Sequence, residues 1–166
     1  MQSLTTDSDF SGLIYGEAVL LSGMVFTARD KAHGMLLEKK PDFDVPPVVY
    51  HCGPLVKKVE GKWEIVSSGP TTSARMEKFL PELIGKYNIS GVIGKGGVGK
   101  VISGSMKGKC VYFALTGGCG ALAAKSMRVK EVHWLDLGIP EAIWVLEVKD
   151  LPLVVGIDMK GRSLYS

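Results

Sequence analysis

The chain has 166 residues, 46% of them hydrophobic and 22% charged, which is enough apolar material for one globular domain with a core of its own. Its 20 basic and 17 acidic residues leave a formal charge of +3, too small and too dispersed to imply a nucleic-acid surface, while small acidic ligands stay in play. The longest apolar run, Leu151 to Ile157, falls far short of the roughly 20 residues that span a bilayer, so no membrane role is indicated.

Residues 1–12 read as a flexible or strand-edge leader, because Ser, Thr and Asp dominate and no apolar period is set up; order is expected over residues 13–166 as a single domain. "EAVLLSGMVFTA" has the β-branched, apolar character of a strand, and "RDKAHGMLLEKK" then turns to helical spacing with Ala32, Met35 and Leu36 on one side. Arg29 therefore sits at a strand-to-helix junction. "PPVVYHCGPLVKKVEGKWEIVSSGP" reads as strand, turn and strand, with Glu60-Gly61-Lys62 as a hairpin connection. After Gly69-Pro70, "TTSARMEKFLPELIGKYN" begins with capping hydroxyls and continues with Met76, Phe79, Leu80 and Leu83 at helical spacing, broken by Pro81 into two short helices.

"ISGVIGKGG" is a short buried strand entering a glycine turn, and "KCVYFALTGGCGALAAKSM" repeats strand, glycine turn and Ala-rich helix, which predicts parallel neighbours. The tail "IWVLEVKDLPLVVGIDMKG" reads as two apolar strands joined at Asp150. The class is mixed α/β.

The stretch Gly94-Lys95-Gly96-Gly97-Val98-Gly99-Lys100 matches a phosphate loop up to its last position, where Val101 replaces the magnesium-ligating Ser or Thr. Asp158, at the end of "LVVGID", imitates a magnesium-binding strand, but apolar strands ending in Asp are common. A glycine turn also serves any strand end, whatever it binds. More telling, Arg29, the group Thr71, Thr72 and Arg75, and Lys95 each follow a strand, so they can converge on one rim as an anion site. Arg29 and His33, at i and i+4, share a helix face. His51 and His133 have apolar neighbours and read as structural, and Lys100 as solvated.

The blocks "LSGMVFTARDKAH", "YHCGP", "SSGPTTSARM", "VIGKGGVG", "LTGGCGALAA" and "EVHWLDLGIPEAIWVLEVKDLPLVVGID" resemble, in unbroken order from Gly16 to Asp158, the class I fumarate hydratase and L-tartrate dehydratase β subunit, equivalent to the C-terminal domain of the single-chain enzymes. The resemblance implies a swivelling β/β/α three-layer domain that closes over an iron-sulfur domain. It further implies a hydro-lyase that hydrates fumarate reversibly to (S)-malate, the tricarboxylic acid cycle reaction, with L-tartrate dehydration as the alternative and a non-catalytic carboxylate-binding module as the reading from another class. The implied 4Fe-4S cluster is held by a partner α subunit in a hetero-oligomer, with α2β2 as one form, and not by this chain. Cys52, Cys110 and Cys119 lack cluster spacing and a C-x-x-C pair, and with the polar, acidic start "MQSLTTDSDF" they suit a reducing cytoplasm.

By the same resemblance Arg29, Arg75 and Lys95, with Thr72, bind the substrate carboxylates, a task that suits a forked guanidinium and a point-charge ammonium. Thr71 matches the residue that moves the proton beside a carboxylate. His33 matches the histidine of the R-D-x-x-H block and stands as the second candidate, having the more suitable pKa. In this reading Lys95 is the working lysine of the glycine turn.

Overall fold

The computed structural model describes residues 1–115 and 119–165. Along the chain lie β1 (Gln2–Thr5), β2 (Ala18–Thr27), α1 (Asp30–Glu38), β3 (Val48–Tyr50), β4 (Leu55–Val59), β5 (Lys62–Ser67), a 3-10 segment (Ser73–Phe79), α2 (Leu80–Tyr87), β6 (Gly91–Gly94), α3 (Lys100–Met106), β7 (Val111–Ala114), α4 (Gly120–Ala124), β8 (Met127–His133), a second 3-10 turn (Leu135–Leu137) and β9 (Ile143–Ile157). Strands β1, β2, β3, β6 and β7 pair in parallel in that order. β9 runs antiparallel to β2, β7 and β8, and by bonding both β2 and β7 it closes the sheet on itself.

Alternation along the strands sorts side chains to two faces. One face carries Val19, Leu21, Val25, Val48, Tyr50, Ile93, Val111, Phe113, Trp144 and Leu146, and the β4–β5 hairpin packs against it through Val56, Trp63 and Ile65. Trp63 meets Trp144 edge to face at 5.3 Å. The other face, with Val49, Val92, Tyr112 and Val145, is covered by Ala32 and Leu36 of α1, Leu80, Leu83 and Ile84 of α2, and Met106 of α3. Hairpin, sheet and helices thus form three layers.

Local chemistry accounts for most boundaries. Glu60 and Gly61 both have positive φ, the conformation a two-residue hairpin turn between β4 and β5 requires. Pro81 divides the apolar segment as expected: it falls at the start of α2, where a missing N–H costs nothing, and the residues before it form the tighter 3-10 helix.

Of the two readings of residues 1–12 the structure shows the strand-edge one and corrects the flexible one, because Gln2–Thr5 adds a parallel edge strand to β2 and the buried Phe10 meets Phe113 edge to face at 5.3 Å. Leu4, Phe10 and Leu13, spaced without period, supply that anchorage. The tail is one strand with a kink rather than two joined at a turn. Asp150 takes φ 49°, yet pairing with β2 resumes on both sides of it, so the chain bends without reversing. The Gly117-Gly118 turn expected after β7 lies outside the described residues.

At Gly94 a Cβ would stand 1.9 Å from Ser73 Oγ, 2.9 Å from Tyr112 Oη and 3.2 Å from His51 Nδ1. Gly94→Ala should destabilise the fold by about 1–3 kcal/mol and lower Tm by roughly 2–10 °C in a thermal melt. Gly85→Ala is the matched control, since it is an exposed position in α2 with nothing within 4 Å, and should stabilise by about 0.5–1 kcal/mol.

Candidate active site

Register places the site. Thr27 is level with Tyr50, and Tyr50 with Ile93, across the parallel strands β2, β3 and β6. The ladder continues one residue further through Ala28 N–H to Tyr50 O and His51 N–H to Ile93 O. Arg29, Cys52 and Lys95, each two residues past that level, therefore stand side by side at the carboxyl ends of neighbouring strands. With strands about 4.8 Å apart, Arg29 and Lys95 have backbones roughly 10 Å from each other, within the combined reach of two long side chains.

The segment after β5 docks onto the same ends. Pro70 bridges Cys52, Thr72 bridges Lys95, and Thr71 N–H donates to His51 O at 2.7 Å. One turn later Arg75 Nη2 donates to Thr71 Oγ1 at 2.7 Å. The structure so brings Arg29, Thr71, Thr72, Arg75 and Lys95 together. Thr72 and Arg75 are exposed, and the other three are half-buried.

Charge on this rim is unbalanced. Among the described residues neither Arg75 nor Lys95 has an ion-pair partner, and Arg29 has only Glu141, at 3.7 Å from its buried Nε, which makes no hydrogen bond. Glu141 also accepts Lys31 N–H at 3.2 Å and so steadies the start of α1. Gly53 supplies clearance: a Cβ there would lie 2.7 Å from Arg29 Cδ. Arg29 thus crosses the "YHCGP" turn with its fork available to an anion.

His33 does not share the rim. It is fully buried, its ring stacked on Phe79 at 5.5 Å and its Nδ1 2.8 Å from the Arg29 carbonyl. Burial lowers its pKa to about 4, so the ring is neutral at pH 7. In this arrangement it lies beneath the Arg29 turn, bonded to its carbonyl. His51 is equally buried, and desolvation, with a smaller effect from His33, holds its pKa well below the usual 6.5. His133 lies elsewhere, stacked on Phe43 at 3.8 Å and paired with Glu131.

Two amides of the glycine turn are already committed. Gly96 and Gly97 have positive φ, but Gly97 N–H donates to Tyr112 Oη at 3.2 Å and Gly99 N–H to Glu77 Oε1 at 2.8 Å. A carboxylate seated on the loop repels a phosphate. Asp158 is likewise committed, accepting from the N–H groups of Tyr15, Lys160 and Arg162 and from Arg162 Nε at 2.8 Å. Lys100 is exposed at the start of α3. The nucleotide reading is weakened at both its cradle and its metal residue.

The fumarase C-terminus family model matches residues 1–166. The chain belongs to this family. It is 45% identical to the "Putative L(+)-tartrate dehydratase subunit beta" of Methanocaldococcus jannaschii, over 96% of this chain and 87% of the relative. Identity to the L(+)-tartrate dehydratase subunit beta of Escherichia coli K12 is 41%, over 95% of this chain and 82% of the relative. A "Putative fumarate hydratase class I" of Geobacillus stearothermophilus is 37% identical over 99% of this chain, which spans 33% of that longer protein.

Concavities elsewhere on this fumarase C-terminus domain, such as one of about 520 Å³ lined by Thr5, Asp7, Met24 and Asp44, lie apart from the rim residues. Among the described residues no group of three or more His, Cys, Asp or Glu could hold a metal ion. Burial pushes the Cys52 thiol up to about 12 and raises that of Cys110, the reverse of what a thiolate ligand needs. The described residues therefore do not fit an iron-sulfur cluster.

Sequence reading misses Glu141, Ser73 and Tyr112. Ser73 lies inside "TTSARM" but reads there as a helix cap, and nothing local marks Glu141 or Tyr112 as neighbours of the site. The buried histidines give a test of the packing beneath it. Each is neutral when folded and protonates near pH 6.5 when unfolded, so stability is complete above about pH 6.5 and falls as pH drops toward about 4, where folded His33 also takes a proton. The expected slope in that window is about 1.4 kcal/mol per pH unit for each histidine, read from urea midpoints. His33→Gln and His51→Gln should each flatten it.

Proposed function

We propose that this chain is the β subunit of a hydro-lyase of the L-tartrate dehydratase and class I fumarase type, and that its rim grips the carboxylates of a four-carbon dicarboxylate. One observation carries the reading: the Thr71 hydroxyl lies under the Arg75 guanidinium at 2.7 Å, on a rim where, among the described residues, Arg75 and Lys95 have no carboxylate partner and Arg29 has only Glu141 at 3.7 Å. Arg29, Arg75, Lys95 and Thr72 orient the substrate. Thr71 moves the proton on the carbon beside a carboxylate.

A hydroxyl is a weak base in water, and the Arg75 N–H donated to Oγ1 favours negative charge on that oxygen. Closure of the rim against a partner strengthens the effect by excluding water. The swivelling motion that brings the rim onto the α subunit is part of this proposal. The 4Fe-4S cluster, which supplies Lewis-acid chemistry when bound, belongs in it to the α subunit, and the assembly is cytoplasmic. His33 is a positioning residue for Arg29.

Fumarate is the substrate the sequence blocks first suggest, with tartrate second. The names of the relatives reverse that order, since both β subunits at 45% and 41% identity are called tartrate dehydratases, so L-tartrate takes the first place here. Paired tartrate-to-oxaloacetate and malate-to-fumarate assays of the anaerobically reconstituted α/β complex decide between them. The chain alone should be inactive in both, and dehydration by the iron-free chain alone would refute the half-enzyme reading.

In the complex, Arg75→Ala and Lys95→Ala should each lower kcat/KM by orders of magnitude, since losing one charged hydrogen-bond partner in a closed site costs on the order of 2–5 kcal/mol. Lys100→Ala should be mild. Thr71→Val keeps the side-chain shape without the hydroxyl, so substrate should still bind while turnover and exchange of the carbon-bound proton with deuterated water fall together. Near-normal exchange in that variant would remove Thr71 from the proton-transfer role.

A further inference from the structure

Nε2 of His33 and Nε2 of His51 are both sealed from solvent and have no hydrogen-bond partner among the described residues, in rings whose centroids are 5.2 Å apart. Buried polar atoms are rarely left unpaired, and two in adjacent rings call for a joint explanation. Their other nitrogens supply it.

His33 Nδ1 lies 2.8 Å from the Arg29 carbonyl, which can only accept, so Nδ1 carries the proton and Nε2 is a bare acceptor. His51 Nδ1 lies 2.8 Å from Ser73 Oγ, Ser73 Oγ is 2.9 Å from Tyr112 Oη, and Tyr112 Oη accepts the Gly97 N–H at 3.2 Å. Ser73 Oγ is the other partner of the Tyr112 hydroxyl among the described residues, so the phenolic hydrogen goes there. Ser73 then donates its own hydrogen to His51 Nδ1, which puts the His51 proton on Nε2. The opposite direction leaves the Tyr112 hydrogen without an acceptor and sets two lone pairs in neighbouring rings. One ring therefore offers an N–H and the other needs one. Their separation accommodates an N–H···N bond of roughly 3 Å once the two nitrogens turn toward each other.

We infer that His51 gives its Nε2–H to His33 Nε2, completing a one-way hydrogen-bond chain from the Gly97 amide through Tyr112, Ser73, His51 and His33 to the Arg29 carbonyl, and that this chain holds the Lys95 loop in register with the Arg29 turn. Burial, which keeps both rings neutral, is what allows fixed tautomers. Tyr112, Ser73, His51 and His33 are all fully buried, so they act on a ligand only through the residues they position. The chain stands on geometry alone, and only its consequence for carboxylate binding rests on the hydro-lyase reading.

Long-range proton-nitrogen NMR of the full chain, labelled at histidine, reads the tautomers directly, and His133→Gln reduces the three histidine signals to the two of interest. The expected result is Nε2–H on His51 and Nδ1–H on His33, each as a single neutral form at pH 7. Nδ1–H on His51, or a mixture, overturns the inference. Breaking the chain at one end should be felt at the other: His33→Leu should give His51 mixed tautomers and speed Gly97 amide exchange at least about tenfold. His33→Gln, whose carbonyl can accept, should restore both. Tyr112→Phe, which keeps the ring, should speed Gly97 exchange similarly should His33→Leu fail to fold. Unchanged Gly97 exchange in whichever of these variants folds overturns the coupling. In the assembled hydro-lyase, the same variants should raise KM for the dicarboxylate more than they lower kcat. A wild-type assembly without activity would count against the functional reading and leave the spectra to decide the chain.

Discussion

Ser73 fills the space where residue 94 would carry a side chain, and the arrangement of the candidate site depends on that exchange of volume. Its Oγ would be 1.9 Å from a Cβ on Gly94, while its N–H donates to Lys95 O at 3.1 Å. Because β6 yields this room, the segment carrying Thr71, Thr72 and Arg75 lies directly against the end of the strand that carries Lys95. A 3-10 turn then returns Arg75 to Thr71. Had position 94 been any larger, the two loops would stand apart by about the width of a methyl group, which would carry Thr71 and Arg75 together away from Lys95 and open the Ser73 N–H to Lys95 O bond.

Above that contact the site is wet and positive, and below it is dry and neutral. Exposed cations such as Arg75 exert little pull in water, where two charges at 4 Å interact by about 1 kcal/mol, and that energy rises severalfold when solvent is excluded. A rim of three cations with Glu141 beside one of them therefore tolerates its own repulsion while solvated, and in the proposed closed complex the same charges would act far more strongly on a bound dianion. The neutral layer beneath, with His33, His51, Ser73 and Tyr112, adds no charge to that balance. It can be rigid without competing for the ligand.

Much of this organisation is legible in the sequence. β2, the β4–β5 hairpin, the break at Pro81 and the parallel pair β6–β7 follow from local pattern, because apolar alternation, Glu60-Gly61 and proline act within a few residues. The convergence of Arg29, Arg75 and Lys95 follows from their shared place after strands. Local pattern fails where the cause is distant. The leader is anchored by single apolar residues whose partners lie in β2 and β7, and the short alternation of Met127, Val129 and Val132 in β8 is interrupted by an irregularity between Val129 and Glu131, so this edge strand is weakly announced. Asp150 looks like a turn because its positive φ is a turn conformation, yet pairing with β2 carries the strand through. His33 looks available because R-D-x-x-H puts it one turn from Arg29. Only the packing of Phe79 and His51 shows it to be covered.

The closure of the sheet by β9 also has a bearing on how the molecule forms. β2 is the second strand along the chain and β9 the last described, and their pairing joins Ala18 to Val154 and Phe26 to Val145. Contacts of such long sequence separation must overcome loop-closure entropy before they contribute any stability, so topologies rich in them fold slowly. During synthesis, β2, β3, β6 and β7 emerge as an incomplete sheet whose two open edges wait for the same strand. Until residues 143–157 leave the ribosome, that half-built barrel presents apolar surface and unpaired backbone to the cell, which makes this interval the one in which chaperone contact or aggregation would be concentrated.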